Sequence, residues 1–97
     1  MVICSIYSSK EEVLKIMYSF LIERDYKNIV LDKESASMTA QRRDSIFSKK
    51  YSARFIVKPK SESVCDIEIT VNPHHNVPTI DDAKKEEKIR SRIYFYF

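Results

Sequence analysis

The chain has 97 residues, of which 43% are hydrophobic and 32% charged, with a net charge of +3. That length builds one two-layer core and leaves nothing for a second, so residues 1–97 are read as a single domain. Glycine is absent, which excludes glycine-rich phosphate loops and dinucleotide fingerprints, because both need a backbone approach that a Cβ blocks.

Val2–Tyr7 opens the chain as a short strand rich in β-formers. Ser9-Lys10-Glu11-Glu12 follows as a capping box, the serine hydroxyl and the third-residue glutamate each satisfying a free backbone donor. Val13, Ile16, Met17, Phe20 and Leu21 then recur at helical spacing and predict a core-facing stripe. The helix ends near Arg24-Asp25, with Asp25 in the place of the usual glycine.

Tyr26–Leu31 reads as the second strand and Asp32–Ser35 as a turn. Three alternating runs come next: Ala36–Arg43, Tyr51–Lys58 and Val64–Asn72. In the last, Cys65, Ile67, Ile69 and Val71 share one face, and Asp66, Glu68 and Thr70 the other. A period of two over such lengths means strands with one buried and one wet face. Asp44–Lys50 and Pro59–Ser63 are the intervening loop and turn, and Arg54 opposite Asp66 or Glu68 is expected as a cross-strand pair. After a Pro73–Pro78 loop, Thr79-Ile80-Asp81-Asp82 starts a second helix, with acids in its first turn complementing the dipole. Ile80, Ala83, Ile89 and Ile93 are its apolar edge, and the helix is read as continuing into Ile93–Phe97.

The order strand, helix, four strands, helix, together with the phrase Glu23-Arg24-Asp25-Tyr26 ahead of two alternating strands, resembles the TATA-binding-protein-like and helix-grip groups of α+β folds. The resemblance implies an antiparallel sheet with both helices on one face, in the order β-α-β-β-β-β-α. It implies no function, since such folds host unrelated activities. The alternative is a ferredoxin-like arrangement with Ile93–Phe97 as a final strand.

Chemistry is sparse. Between Arg42 and Lys60 lie seven basic residues (Arg42, Arg43, Lys49, Lys50, Arg54, Lys58 and Lys60) against the single acid Asp44. If the third and fourth strands pair, the expectation places these cations at one end and one face of the sheet. With Tyr51 or Phe47 as a stacking platform, they are candidate contacts to an anion or a nucleic-acid backbone; the plainer reading is a solvated sheet face. His74 and His75 are the only histidines and lack further ligands at metal spacing, so they are read as surface residues. Cys4 and Cys65 are read as buried thiols, which leaves Cys65 inert as a nucleophile. No catalytic residues, metal or cofactor are expected. Tyr94, Phe95, Tyr96 and Phe97 form an aromatic terminus read as an interaction surface, the alternative being that they cap this domain's own core.

The reading that follows is a small non-enzymatic protein-interaction module, self-associating as a homodimer or docking a protein partner, with the first strand offering an edge for sheet extension. Weak nucleic-acid binding through residues 42–60 is the alternative. A second alternative is an apolar ligand held in a cavity lined by Met17, Phe20, Met38 and Phe55. No stretch reaches the roughly 18 apolar residues that span a bilayer, and Val2–Tyr7 is too short for a signal peptide. A chain beginning at Met1 is therefore expected in the cytoplasm, without a membrane partner.

Overall fold

Alternation and helical spacing resolve into β1 (Val2–Ile6), α1 (Lys10–Glu23), β2 (Lys27–Asp32), β3 (Ser37–Arg42), β4 (Tyr51–Ser61), β5 (Val64–Val71) and α2 (Ile80–Tyr96) in the computed structural model, which describes residues 1–97. The strands form one antiparallel sheet in the order β1-β5-β4-β3-β2. β1 and β2 are thus the two edges, although only α1 separates them in sequence. To join them α1 crosses one face of the sheet, packing on β4 and β5, while α2 packs on β5 and β1.

The alternating pattern does what it predicts. Met38 and Ala40, then Tyr51, Ala53, Phe55 and Val57, then Cys65, Ile67, Ile69 and Val71 are all buried beneath the helices. With Val13, Met17, Phe20 and Leu21 of α1 and Ile89 and Ile93 of α2 they belong to a core cluster of 20 residues. Fully burying one such aliphatic or aromatic side chain contributes about 1.5–3 kcal/mol. The opposite face of the sheet carries no helix. The class, element order and one-face helices expected from the sequence are therefore all present.

Without glycine, positive φ falls on Asp25, Asn28, Asn72 and Ala36. Asp25 closes α1: its N–H bonds to the Ile22 carbonyl and that of Tyr26 to the Leu21 carbonyl, the paired bonds of a Schellman cap. Asn28 sits in the bulge where β2 slips register against β3, and its amide donates to the Gln41 side chain at 2.7 Å. Ala36 has no local side-chain bond to offset its φ of 51°, a conformation that disfavours any residue with a Cβ by about 1–2 kcal/mol.

Several local expectations need correction. Ile93–Tyr96 is helical, which removes the ferredoxin-like alternative. The Ser9 hydroxyl accepts the Glu12 N–H, but the full reciprocal box is made at Thr79 and Asp82 instead. β4 runs through Pro59 to Ser61 rather than turning at the proline. The Val57 N–H points towards Ala36, so Pro59, two residues on, faces the same side beyond the end of β3, where a missing donor is harmless. Ile80 and Ala83 are exposed, and the buried stripe of α2 is Asp82, Glu86, Ile89 and Ile93. Arg54 stands between Thr39 and Thr70, while Glu68 and Asp66 pair with Lys58 and Lys60.

Candidate functional site

The two edges of the sheet can be read residue by residue, because in an antiparallel ladder both backbone groups of a residue point the same way and alternate along the strand. The bond from Val57 N–H to Ala36 and that from Asn72 N–H to the Ser52 carbonyl fix the phase. Odd residues of β4 address β3 and even ones address β5. Carried across the registers, the same phase turns Val30 and Asp32 of β2 inwards to β3 and Leu31 outwards. In β1 it turns Ile3 and Ser5 outwards.

The β1 edge is capped at Ser5, while the outward groups of Ile3 have no partner. The Ser5 N–H donates to the Tyr94 hydroxyl at 3.2 Å, so the C-terminal turn of α2 takes the place of a neighbouring strand. Where β5 runs past the start of β1, the outward N–H of Val71 donates to Glu86 Oε2 at 2.9 Å, and the Met1 ammonium pairs with Oε1 at 2.7 Å. Glu86 is 2% exposed. The carboxylate stands in for strand backbone and gains a counter-ion, which is what a buried charge requires.

The β2 edge is open. No hydrogen bond reaches its outer side, and Val30 is 61% exposed. Beside it α1 leaves a groove of about 620 Å³. Its walls are the Lys10–Leu14–Tyr18 and Glu11–Lys15–Ser19 rows of α1, each at i, i+4 spacing, together with Leu31 and Lys33. Leu14 and Leu31 are half-buried and pack against the core cluster from this side. Lys10, Lys15 and Lys33 take part in no ion pair.

The basic segment does not assemble as one surface. Arg42 lies on the helix side, its guanidinium donating to the Arg24 carbonyl, pairing with Asp44 and covering the Tyr26 ring. Tyr51 is 5% exposed, with Lys85 over its ring and its hydroxyl directed at Asp44, so it offers no stacking platform. Arg54 and Lys58 lie on the open sheet face, and Lys58 is paired. Arg43, Lys49 and Lys50 remain at the β3–β4 loop, whose Phe47 is 93% exposed.

Next to that loop, a cleft of about 500 Å³ is lined by Lys49, Lys50, His74, His75, Asp82 and Lys85 among others. Asp82, 2% exposed, accepts from Asn72 Nδ2 at 2.9 Å and from the Thr79 N–H at 3.2 Å, with His75 Nδ1 at 2.8 Å. Burial by itself pushes this carboxyl up, but the bonds to His75, Asn72 and Thr79 outweigh it and hold the group well below the usual carboxylate range. His75 thus folds back onto α2, a placement the sequence did not require. No three His, Cys, Asp or Glu side chains converge as a metal site. Cys4 and Cys65 are buried free thiols, both pushed up by that burial.

The aromatic terminus divides. Tyr96 packs edge-on against Phe20 at 5.3 Å, Phe97 leans on the core, and Tyr94 closes the β1 edge. Tyr94 is still 51% exposed around its bonded hydroxyl, and Phe95 projects furthest, 92% exposed. Met17, Phe20, Met38 and Phe55 have no exposed surface, and none of them lines a concavity. No helix is long and apolar enough to cross a membrane. The sequence signal for the groove was present but weak: Leu14 and Tyr18 lie beside the main apolar stripe of α1, and Ile29-Val30-Leu31 is an apolar run without alternation.

Compared with known protein families, curated proteins and solved structures, the chain matches none.

Proposed function

We propose that the chain is a non-enzymatic protein-interaction module that takes an extended segment of a partner protein as an added strand on β2. The observation behind it is the outward N–H and C=O of Leu31 beside a groove that α1 and β2 leave unfilled. Strand addition draws affinity from the main chain and specificity from pockets for alternate side chains, and this edge offers both. The bulge at Asn28 ends the regular ladder on one side, so the addition is short and of modest affinity.

A peptide library displayed against the folded chain tests this. Recovered segments should slow amide exchange at Leu31 and lose binding to a Leu31→Pro variant, which lacks the outward donor. Segments that map elsewhere and bind that variant unchanged would remove β2 as the docking edge.

A second reading has one observation in its favour. Arg43, Lys49 and Lys50 take part in no ion pair and flank the exposed Phe47 in sequence, a composition suited to weak phosphate-backbone contact. A mobility shift with single-stranded DNA that falls steeply with salt and is lost with Lys49→Ala and Lys50→Ala together would support it. The absence of any shift at low salt would remove it.

A further inference from the structure

The groove beside β2 has a charge as well as a shape. Lys10 and Lys15 on α1 and Lys33 just beyond β2 rim it, against the single carboxylate of Glu11, and none of the three ammonium groups has an anionic partner within the chain. Its floor is apolar: Leu14, Tyr18 and Leu31. A strand laid against β2 alternates its side chains, one set falling towards α1 and the other onto the open sheet face. The set facing α1 meets the apolar floor at Leu31 and the lysines to either side.

We infer that the partner segment is acidic: an extended stretch with an apolar residue over Leu14, Tyr18 and Leu31, and carboxylates at the neighbouring same-face positions, where they meet Lys10, Lys15 and Lys33. This rests on the reading of β2 as the docking edge and adds the chemistry of its occupant. A second copy of this chain is the wrong partner for the same reason. Pairing two β2 edges about a two-fold axis brings each lysine rim against the other, and like charges set together are disfavoured.

The test uses the full chain and two synthetic peptides with blocked ends, Thr-Glu-Thr-Val-Thr-Glu-Thr and its analogue with lysine for both glutamates. Each is titrated at low ionic strength while backbone amide signals are followed. The acidic peptide should bind about tenfold more tightly than the basic one, with an advantage that shrinks as salt is added. It should also slow exchange at Leu31. A variant with Lys10→Glu, Lys15→Glu and Lys33→Glu should invert the preference, because all three side chains lie outside the core and the fold is kept. Equal binding of the two peptides at Leu31 overturns the inference and leaves the docking edge standing. If neither peptide binds while library-selected segments still protect Leu31, the inference again falls alone. Failure of all of them removes both, and a concentration-dependent dimer with Leu31 protected identifies a second copy as the occupant and overturns the inference.

Discussion

The two edges of this sheet meet the same problem, a row of backbone groups with no neighbouring strand, and meet it differently. At β1 the end of α2 arrives with a hydroxyl for Ser5, and its middle with a carboxylate for Val71. At β2 nothing arrives: α1 passes over β4 and β5 and leaves Leu31 facing outwards. An exposed edge is a hazard that proteins manage with bulges, charges or cover. Here the bulge at Asn28 and the lysine rim limit β2 without covering it. The difference separates an edge that α2 caps at Ser5 from one whose outward groups at Leu31 have no partner within the chain.

Breaking the seal at β1 has the largest expected effect. Glu86→Ala strands the Val71 N–H and the Met1 ammonium. Removing one partner of a buried, hydrogen-bonded charge is strongly destabilising, and because Met1 is partly exposed we expect about 2–3 kcal/mol, read from urea midpoints. Amides of β1 should lose protection before those of β3. A midpoint unchanged from that of the intact chain would mean that the carboxylate closes nothing.

Proline at β2 sharpens the comparison. Val30→Pro removes a ladder donor to β3 and should destabilise by about 2 kcal/mol. Leu31→Pro removes an outward donor and also the half-buried leucine side chain, at about 1–2 kcal/mol. The two are therefore told apart by exchange: Val30→Pro should speed exchange at the Thr39 amide across the ladder more than Leu31→Pro does. The reverse order would show that the phase of this strand is other than described.

Asp82→Asn tests the polar clasp that sets the start of α2 against the end of β5. Loss of the charged acceptor for Asn72, His75 and Thr79 should lower stability by about 1–2 kcal/mol at neutral pH. Because the folded carboxyl is held below its unfolded value, its contribution is complete above about pH 4 and is lost as the pH falls further. The variant should therefore lose less stability than the parent on acidification below about pH 4, and parallel acid curves would contradict this. Smallest is Tyr94→Phe, expected to lower stability by under about 1 kcal/mol while speeding exchange at the Ser5 amide.

Much of the fold was legible because its signals are local. Cys65, Ile67, Ile69 and Val71 alternate over a whole strand, and Ser9 and Thr79 mark helix starts within four residues. The expectation that Asp25 takes the usual glycine place at the end of α1 holds, while the positive φ at Asn28, Ala36 and Asn72 falls where strands were read. What the sequence hid depends on partners far away in the chain. Acids at 82 and 86 read as solvated helix residues until the end of β5, some ten to fifteen positions earlier, presents donors to bury them. Tyr94 reads as an exposed aromatic until β1 lies beside it. That β2 is an edge follows from strand order, which no local pattern encodes, and so the lysine-rimmed groove could not be assembled from the sequence. The basic run 42–60 misled for the converse reason: residues close in sequence are divided between two faces and two ends of the sheet.

Amide exchange on the dilute chain bears most directly on the contrast between the edges. The Leu31 N–H should exchange at nearly the rate of an unprotected backbone, while Ser5 on the opposite edge and Val30 next to Leu31 are slowed by their bonds to Tyr94 and to β3. Strong protection of Leu31 in the isolated monomer, or an unprotected Ser5, would contradict a sheet with one edge capped at Ser5 and the other open at Leu31.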